Sequence, residues 1–336
     1  MATLLPPLLS GTLFGAALTA SSVYLPSVIL GQLALTSTVM LKTFLTASAC
    51  SAIIIYLCNK LGYAKLPHRT NTSYGWFGAY DANLVGGLLQ GLGMALTGAC
   101  PGTVLVQVAL GVRAAPVVLL GGLLGGMGFV VLSPRIRRAS TVQGAAGDAG
   151  GVKEHTVMQR LKVHNATAVL GYEAMLVGMI AVVDRLGLAS DARSFWVGPI
   201  VGGLMIGVAQ ASSVLLSKKT LGVSSAYSDL AGHLSSLLKG QGLSGGFGNV
   251  VFAGGVMLGA KLTSQRISLV AETGPAVGVA SALLGGFCSI FGARLAGGCT
   301  SGHGISGMST LSVSSFVTVA GMFGGGIVFK HLLNML

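Results

Sequence analysis

The chain of 336 residues is 52% hydrophobic and only 8% charged, and it carries a net charge of +12. About a quarter of the residues in a soluble domain are charged, so this composition excludes a water-exposed globular protein. Apolar runs near the ~20 residues needed to cross a bilayer recur along the whole chain. The 53 glycines allow close packing of membrane helices. The composition predicts an all-α, polytopic membrane protein.

The excess of positive charge lies in connecting segments rather than beside the aromatic residues of a soluble module. This placement is typical of topology signals and of contact with anionic lipid, and it argues against nucleic-acid binding. Counting the basic residues leaves the membrane orientation open. Those of the long connectors are Lys60, Lys65, His68, Arg69, Arg135, Arg137, Arg138, Lys153, Arg160 and Lys162.

In chain order, the apolar runs predict about nine transmembrane helices, at 8–30, 33–58, 82–98, 103–132, 166–186, 195–216, 247–262, 273–291 and 311–335. Because no Lys or Arg precedes Lys42, we interpret the first run as a retained helix, with a cleaved signal peptide at "ALTASS" as the alternative. The most polar stretch, 133–165, predicts a basic, flexible connector. It separates a first half, 1–132, from a second half, 166–336.

The two halves share sequence blocks in the same order. At an offset of 199 residues, Cys100 superposes on Cys299. The other matches at this offset are Gly86/Gly285, Gly87/Gly286, Gly93/Gly292, Leu96/Leu295, Gly98/Gly297, Gly122/Gly321, Gly125/Gly324 and Gly126/Gly325. Upstream, at an offset of 191, "GTLFGAALTASSVYL" matches "GGLMIGVAQASSVLL". The two blocks indicate a tandem duplication, whose halves are either parallel or inverted in the membrane.

Each half contains a break in its apolar sequence with a cysteine at the centre, "LTGACPGT" and "LAGGCTSGHGIS". Irregular backbone at membrane depth is tolerated only where protein or a water-filled cavity satisfies its polar groups. In duplicated membrane proteins such breaks line a substrate path near the midplane, and helix N-termini there suit an anion. The candidate pathway residues are Gly98, Cys100, Pro101, Gly102, Cys299, Thr300, Ser301, Gly302, His303, Gly304 and Ser306.

Other candidates each have two interpretations. Lys42, inside an apolar run, is either functional or snorkels to the interface. Arg294 either steers anions or marks a helix end, and His303 either lines the pathway or packs internally. Four serines either bind substrate or lie at helix crossings, namely Ser21, Ser22, Ser212 and Ser213. Glu173 and Asp184 are weaker candidates for proton coupling.

The remaining cysteines, Cys50, Cys58 and Cys288, are interpreted as small buried hydrophobic residues. No metal-ligand spacing, cofactor motif or nucleophile–base pair is found, and no P-loop. The sequence therefore predicts neither a metal nor a cofactor, and it argues against an enzyme.

The stretches "GLLQGLGMALTGACPG" and "GGFCSIFGARLAGGCTSGHGISG" resemble the YeeE/YedE family of sulfur-compound transporters, several of which take up thiosulfate. The resemblance implies an inverted repeat with re-entrant loops meeting at the membrane centre, where Cys100 and Cys299 contact the substrate sulfur. Many members have a third cysteine near the position of Tyr24, so a relay through three thiols starts differently here. The family also suggests a small cytosolic sulfur-carrier protein as a partner.

We therefore expect a plasma-membrane permease for thiosulfate or a related inorganic sulfur anion. The alternatives are a transporter for a selenium species or sulfite, and a membrane sulfur-relay protein that forms cysteine persulfides. A neutral thiol is a weak donor, so it can hold the terminal sulfur without trapping it. We expect neutral Cys100 and Cys299 to face each other across the narrowest point, with Cys299 on the more polar side.

Overall fold

The computed structural model describes residues 4–142, 154–185, 196–238, 246–267, 274 and 277–335. Within these ranges the chain forms helices and no β-strand, as the composition predicts. The first half contains α1 (Leu5–Ala20), α2 (Pro26–Leu33), α3 (Val39–Lys60), α4 (Asp81–Thr97), α5 (Thr103–Ala109) and α6 (Ala115–Val142). Much of the predicted connector, 143–153 with Lys153, lies outside the described residues.

The second part begins with two helices that have no counterpart in the first half, α7 (Val157–Leu161) and α8 (Asn165–Arg185). The repeated helices follow as α9 (Pro199–Ser217), α10 (Ser224–Leu238), α11 (Gly248–Ser264), α12 (Val279–Leu295) and α13 (Val313–Leu333). Between α12 and α13 the chain forms a π-helical segment, Thr300–Gly307, and a 3₁₀ turn, Met308–Thr310.

Five of the described helices are long and apolar enough to cross a membrane, namely α3, α6, α8, α9 and α13. A sixth span is formed if α12 is joined to the segment after it, across a bend of 43°. The number is below the predicted nine because α1, α4, α11 and α12 have only 16 or 17 residues. At 1.5 Å per residue such helices are about 25 Å long, shorter than the ~30 Å hydrocarbon core.

Two of the predicted segments are broken. The run 8–30 divides into α1 and α2, because Ser22 has a left-handed backbone (φ 57°) and Pro26 starts a new helix. The run 103–132 divides into α5 and α6 at Gly111 (φ 78°). Helix α10 lies in a stretch that hydropathy did not identify, since its serines, aspartate and histidine lower the apolar signal.

The two halves interlock through reciprocal contacts. Helix α1 packs against α11 while α3 packs against α9, and α4 packs against α13 while α6 packs against α12. By chain order and matched glycines, α1, α3, α4 and α6 correspond to α9, α11, α12 and α13. The contact of α1 with α11 therefore corresponds to that of α9 with α3, and the contact of α4 with α13 to that of α12 with α6. One hydrophobic core contains residues of both halves.

The corresponding helices α4 and α12 cross at their glycines. A Cβ on Gly86 would lie 2.5 Å from the carbonyl oxygen of Gly292, and a Cβ on Gly292 would lie 2.5 Å from that of Gly86. A Cβ on Gly93 would likewise lie 2.5 Å from the carbonyl oxygen of Gly285. The start of each helix thus meets the end of the other, so the two run antiparallel in backbone contact.

Both helices end at matched glycines in the left-handed region, Gly98 (φ 64°) after α4 and Gly297 (φ 84°) after α12. A side chain is strained in this conformation, which explains the glycines at both positions. From these turns the chain returns toward the protein interior instead of continuing the helix. The cysteine breaks consequently lie inside the bundle.

Glycines at the matched positions 125 and 324 test this close packing. A Cβ on Gly125 would lie 2.5 Å from the carbonyl oxygen of Phe287, whereas a Cβ on Gly324 has no neighbour within 4 Å. We expect Gly125→Ala to lower the free energy of unfolding by about 1–3 kcal/mol through overpacking. Gly324→Ala should leave it unchanged or raise it, because alanine has the higher helix propensity. Thermal unfolding of the purified variants in detergent compares them, and equal melting temperatures would contradict the packing argument.

Candidate functional site

The first cysteine is held at the start of α5 by Thr103. The backbone N–H of Cys100 donates to Thr103 Oγ1 at 2.8 Å. In return, the backbone N–H and the hydroxyl of Thr103 lie 3.5 and 3.3 Å from Cys100 Sγ. These contacts fix the orientation of a side chain that is only 4% exposed. The thiol is therefore a rigid part of the first break.

A small cavity lies beside this thiol. Its volume is about 10 Å³ measured to the centre of a water-sized probe, so it has room for one water molecule. The wall includes Cys100, Pro101, Tyr227 and Ser289. The hydroxyl of Ser289 is buried and has no hydrogen-bond partner among the described residues. The cavity thus has one unsatisfied polar group in an otherwise apolar wall.

The second cysteine is surrounded by donors. The Ser301 hydroxyl lies 3.3 Å from Cys299 Sγ. The backbone N–H groups of Gly302 and Ser224, together with the Ser224 hydroxyl, are close enough to interact electrostatically with this sulfur. Ser224 is the first residue of α10, so the site joins α10 to the second break. The surroundings of Cys299 are accordingly more polar than those of Cys100.

Tyr227 connects the two breaks. Its hydroxyl donates to the carbonyl oxygen of Pro101 at 2.7 Å. It is 3% exposed and lies within electrostatic range of both Cys100 and Cys299, which are also within electrostatic range of each other. The two breaks therefore lie near each other in the protein interior, with Tyr227 beside the first thiol.

Two matched positions of the repeat bring further polar groups to the breaks. Gln90 of α4 donates from Nε2 to Thr300 Oγ1 at 2.9 Å, while its Oε1 is buried without a partner among the described residues. Ser289 of α12, at the same repeat position, lies beside Cys100. Each of the crossing helices thus presents one unsatisfied polar atom to the break of the other half.

The structure uses His303 internally. Nε2 lies 3.1 Å from the carbonyl oxygen of Ala296, so this nitrogen carries the hydrogen, and Nδ1 lies 2.9 Å from Ser315 Oγ. The ring therefore ties the second break to the end of α12 and the start of α13. Ser306 is similarly occupied, because its hydroxyl contacts Gln210 Oε1 and the carbonyl oxygen of Leu221 at 3.1 and 2.9 Å.

The structure also locates the other candidates of the breaks. Thr300, Ser301 and Ser306 are buried, and Gly304 packs near Val319. Gly102 precedes α5, close to Val223. Tyr24 is buried beside the first break, where its carbonyl oxygen accepts a hydrogen bond from Gln107 Nε2 at 2.7 Å.

The four candidate serines lie at the C-terminal ends of α1 and α9. Ser21 and Ser212 donate to carbonyl oxygens of their own helices, and Ser213 donates to that of Lys219. Ser21 also packs against Gly202, whose Cβ would lie 2.3 Å from Cβ of Ser21. Ser22 forms the turn after α1. These positions fit helix crossings better than substrate contacts.

Two charged candidates occupy different settings. Lys42 forms an ion pair with Asp184, joining α3 to the peripheral α8. Arg294 lies in the last turn of α12, within electrostatic range of Cys299. Glu173 is on α8. No group of three His, Cys, Asp or Glu side chains suited to a metal ion occurs in the described part of the chain.

Sequence reasoning missed Tyr227, Ser224, Gln90 and Ser289. A glutamine inside an apolar membrane helix is costly, so Gln90 could have been found on that ground. Ser289 gives no such signal because small hydroxyl residues are common in membrane helices. Tyr227 and Ser224 lie in α10, which the hydropathy pattern did not identify.

Comparison with known proteins decides the class. The family described as Sulphur transport matches residues 20–328. The chain belongs to this sulphur transport family. Two proteins of Xylella fastidiosa, from strains Temecula1 and 9a5c, are each named "Probable transporter" and are 33% and 32% identical over 127 residues. The alignments cover 36% of this chain and 83% of each relative, so a relative is about as long as one repeat.

Family membership and the five or six membrane-length helices make this sulphur transport family member an integral, multi-pass membrane transporter. The buried centre formed by its two breaks is the candidate pathway. The thiols, the Gln90 amide and the Ser289 hydroxyl supply weak, uncharged polar contacts there.

Replacement of His303 tests its internal role. We expect His303→Ala to lower the free energy of unfolding by about 1–3 kcal/mol, because the Ser315 hydroxyl loses its buried partner and the Ala296 carbonyl keeps Asn83 but loses a second contact. Per folded molecule, the KM for substrate should stay near the wild-type value. Thermal unfolding and uptake by reconstituted protein measure the two effects. His331→Ala, at an exposed position of α13, is the control, and a large rise in KM for His303→Ala would show direct substrate contact instead.

Proposed function

We propose that the protein is a plasma-membrane permease for thiosulfate or a related inorganic sulfur anion, which passes between Cys100 and Cys299. The observation that carries this proposal is the convergence of the two thiols, from matched positions of the two repeats, at one buried centre. A transporter of the sulphur transport family needs contacts for a sulfur-containing substrate. Two cysteines on one pathway would each offer the substrate sulfur a weak thiol contact.

We also propose that the two halves form an inverted repeat. The antiparallel crossing of α4 and α12, which occupy corresponding places in the halves, supports this arrangement. In such a fold the two breaks approach the centre from opposite sides of the membrane. Reciprocal packing of the other helix pairs is consistent with the same two-fold relation.

The chemistry of the centre suits an anion with a terminal sulfur. That sulfur is large and polarizable and accepts only weak hydrogen bonds. A thiol is a weak donor as well, so it binds the sulfur without the tight hold of a charged partner. Transport requires binding that is favourable but still permits release.

The size of the centre indicates that transport requires movement. The cavity beside Cys100 has room for about one water molecule, which is too small for a thiosulfate ion. The described conformation is therefore closed, and the breaks must separate for the anion to pass. The segments that have to move are the short helix α5 and the segment Thr300–Gly307.

Growth on thiosulfate as the sole sulfur source tests the proposal. In a bacterial strain that lacks its own uptake systems, we expect the wild-type chain to restore growth. Cys100→Ala and Cys299→Ala should reduce the initial uptake of radiolabelled thiosulfate at least about tenfold, the equivalent of ~1.4 kcal/mol. Cys58→Ala is the matched control, because Cys58 packs in a separate cluster at the end of α3.

The alternatives predict other outcomes. Uptake of selenite or sulfite without thiosulfate would move the assignment to another small anion. A persulfide on either cysteine, detected by mass spectrometry without uptake, would favour the sulfur-relay reading. Normal thiosulfate uptake by the variant lacking both thiols would overturn the role of the cysteines.

Ser289 provides a test in which stability and transport change in opposite directions. Ser289→Ala removes a buried hydroxyl without a partner, so we expect it to stabilise the protein, by up to about 1–3 kcal/mol. If the hydroxyl serves the substrate, uptake should fall. Ser315→Ala, which removes a hydroxyl bonded to His303, should lower stability instead. Unchanged uptake in stabilised Ser289→Ala would place this hydroxyl outside the pathway.

A further inference from the structure

The connector between α3 and α4 folds back over the second break and carries Arg69 with it. The backbone N–H of Arg69 donates to Ser312 Oγ at 2.8 Å. The hydroxyl of Ser314 donates to the Arg69 carbonyl oxygen at 3.1 Å. Since Ser312 and Ser314 lie at the start of α13, Arg69 is fixed next to the break rather than free at the membrane surface.

The guanidinium of Arg69 shares a space with the Cys299 thiol. A Cβ on Gly302 would lie 3.1 Å from Arg69 Nη2 and 4.0 Å from Cys299 Sγ. A Cβ on Gly298 would lie 2.9 Å from Arg69 Nη1. The absence of side chains at these two glycines leaves room for the guanidinium beside the thiol. Next to them Gly297 is exposed, so the space lies near the surface.

The charge of Arg69 has no counter-ion in the described part of the chain. The one ion pair found there joins Lys42 to Asp184. With the described residues the guanidinium makes one hydrogen bond, from Nη1 to the carbonyl oxygen of Gly297 at 2.9 Å. A guanidinium has five N–H donors, so most of those of Arg69 remain for a ligand.

A second guanidinium lies on the same side. Arg294 is within electrostatic range of both Arg69 and Cys299. Its Nε is buried without a partner among the described residues, and Nη1 lies 3.5 Å from the hydroxyl of Ser225. The adjacent Ser224 lies close to Cys299. Asp229 is within electrostatic range of Arg294 but beyond ion-pair distance.

We propose that Arg69 and Arg294 bind the oxygen-bearing end of the transported anion and thereby direct its sulfur toward Cys299. This proposal rests on the proposed function. Two guanidinium groups with free donors match an oxyanion group, which accepts several hydrogen bonds at once. The thiol suits the opposite, sulfur end. The site therefore favours a small anion that carries an oxyanion group and a terminal sulfur in the same molecule.

The proposed site belongs to one side of the protein. The residue that corresponds to Arg294 in the first half is Ala95. The first break thus lacks this cation, although it has the matching thiol. An anion bound at the arginines would be oriented before or after it passes the central constriction, depending on the direction of transport.

Uptake kinetics test the role of the arginines. We expect Arg69→Gln and Arg294→Gln each to raise the KM for radiolabelled thiosulfate about tenfold, the effect of losing ~1.4 kcal/mol of binding, with a smaller change in maximal rate. Lys65→Gln, an exposed change in the same connector, should retain the wild-type KM. The fraction of folded protein is followed by size-exclusion chromatography.

Thermal shifts measure binding without transport. Thiosulfate should raise the melting temperature of the purified wild type more than sulfate, which offers only oxygens. The Arg69→Gln and Arg294→Gln variants should lose most of both effects. Cys299→Ala should respond to thiosulfate only as strongly as to sulfate, because its oxyanion contacts remain.

The possible failures are distinguishable. If the wild type neither takes up nor is stabilised by thiosulfate, the proposed function fails, and this inference fails with it. If the wild type transports thiosulfate and both arginine variants keep its KM, only the arginine site is overturned. If Arg69→Gln does not fold, Arg69→Lys tests the site instead. Lysine keeps the positive charge but lacks the planar guanidinium with its several donors. An unchanged KM in that variant would also overturn the site.

Discussion

The backbone contact between α4 and α12 is the constraint on which the rest of the structure depends. Two helices can approach this closely only where side chains are absent from both, here at Gly86, Gly93, Gly285 and Gly292. Because the helices run antiparallel, a polar side chain in the middle of each helix lies against the break that follows the other helix. The crossing therefore brings Gln90 to Thr300 and Ser289 to Cys100.

Irregular backbone inside the bundle requires partners for its polar groups, and the protein supplies them from distant parts of the chain. Asn83 donates to the carbonyl oxygen of Ala296 at the end of α12, and Gln107 donates to that of Gly98. Tyr227 satisfies the carbonyl group of Pro101, and His303 Nε2 makes a second contact with that of Ala296. The polar residues around the breaks thus hold a broken structure in place, while a few atoms remain unsatisfied at the centre.

The two halves of the centre differ in electrostatics although they match in fold. Both contain a cysteine at the start of a short helix. The Cys299 side adds hydroxyls, two guanidinium groups and the folded-back connector, whereas the Cys100 side adds an apolar cavity with one hydroxyl. Under the proposed function, the anion would meet the polar Cys299 side and the narrow Cys100 side in succession.

The sequence alone indicated the membrane class, the duplication and the correspondence of Cys100 with Cys299 between the two halves. Composition and repeated glycines can be read directly from the chain. It also placed the breaks, since glycine is needed at the left-handed turns Gly98 and Gly297. Only the tertiary structure decided which groups accompany the thiols. Tyr227 and Arg69 are far from both cysteines along the chain, and they reach the centre through contacts between elements that no local pattern records.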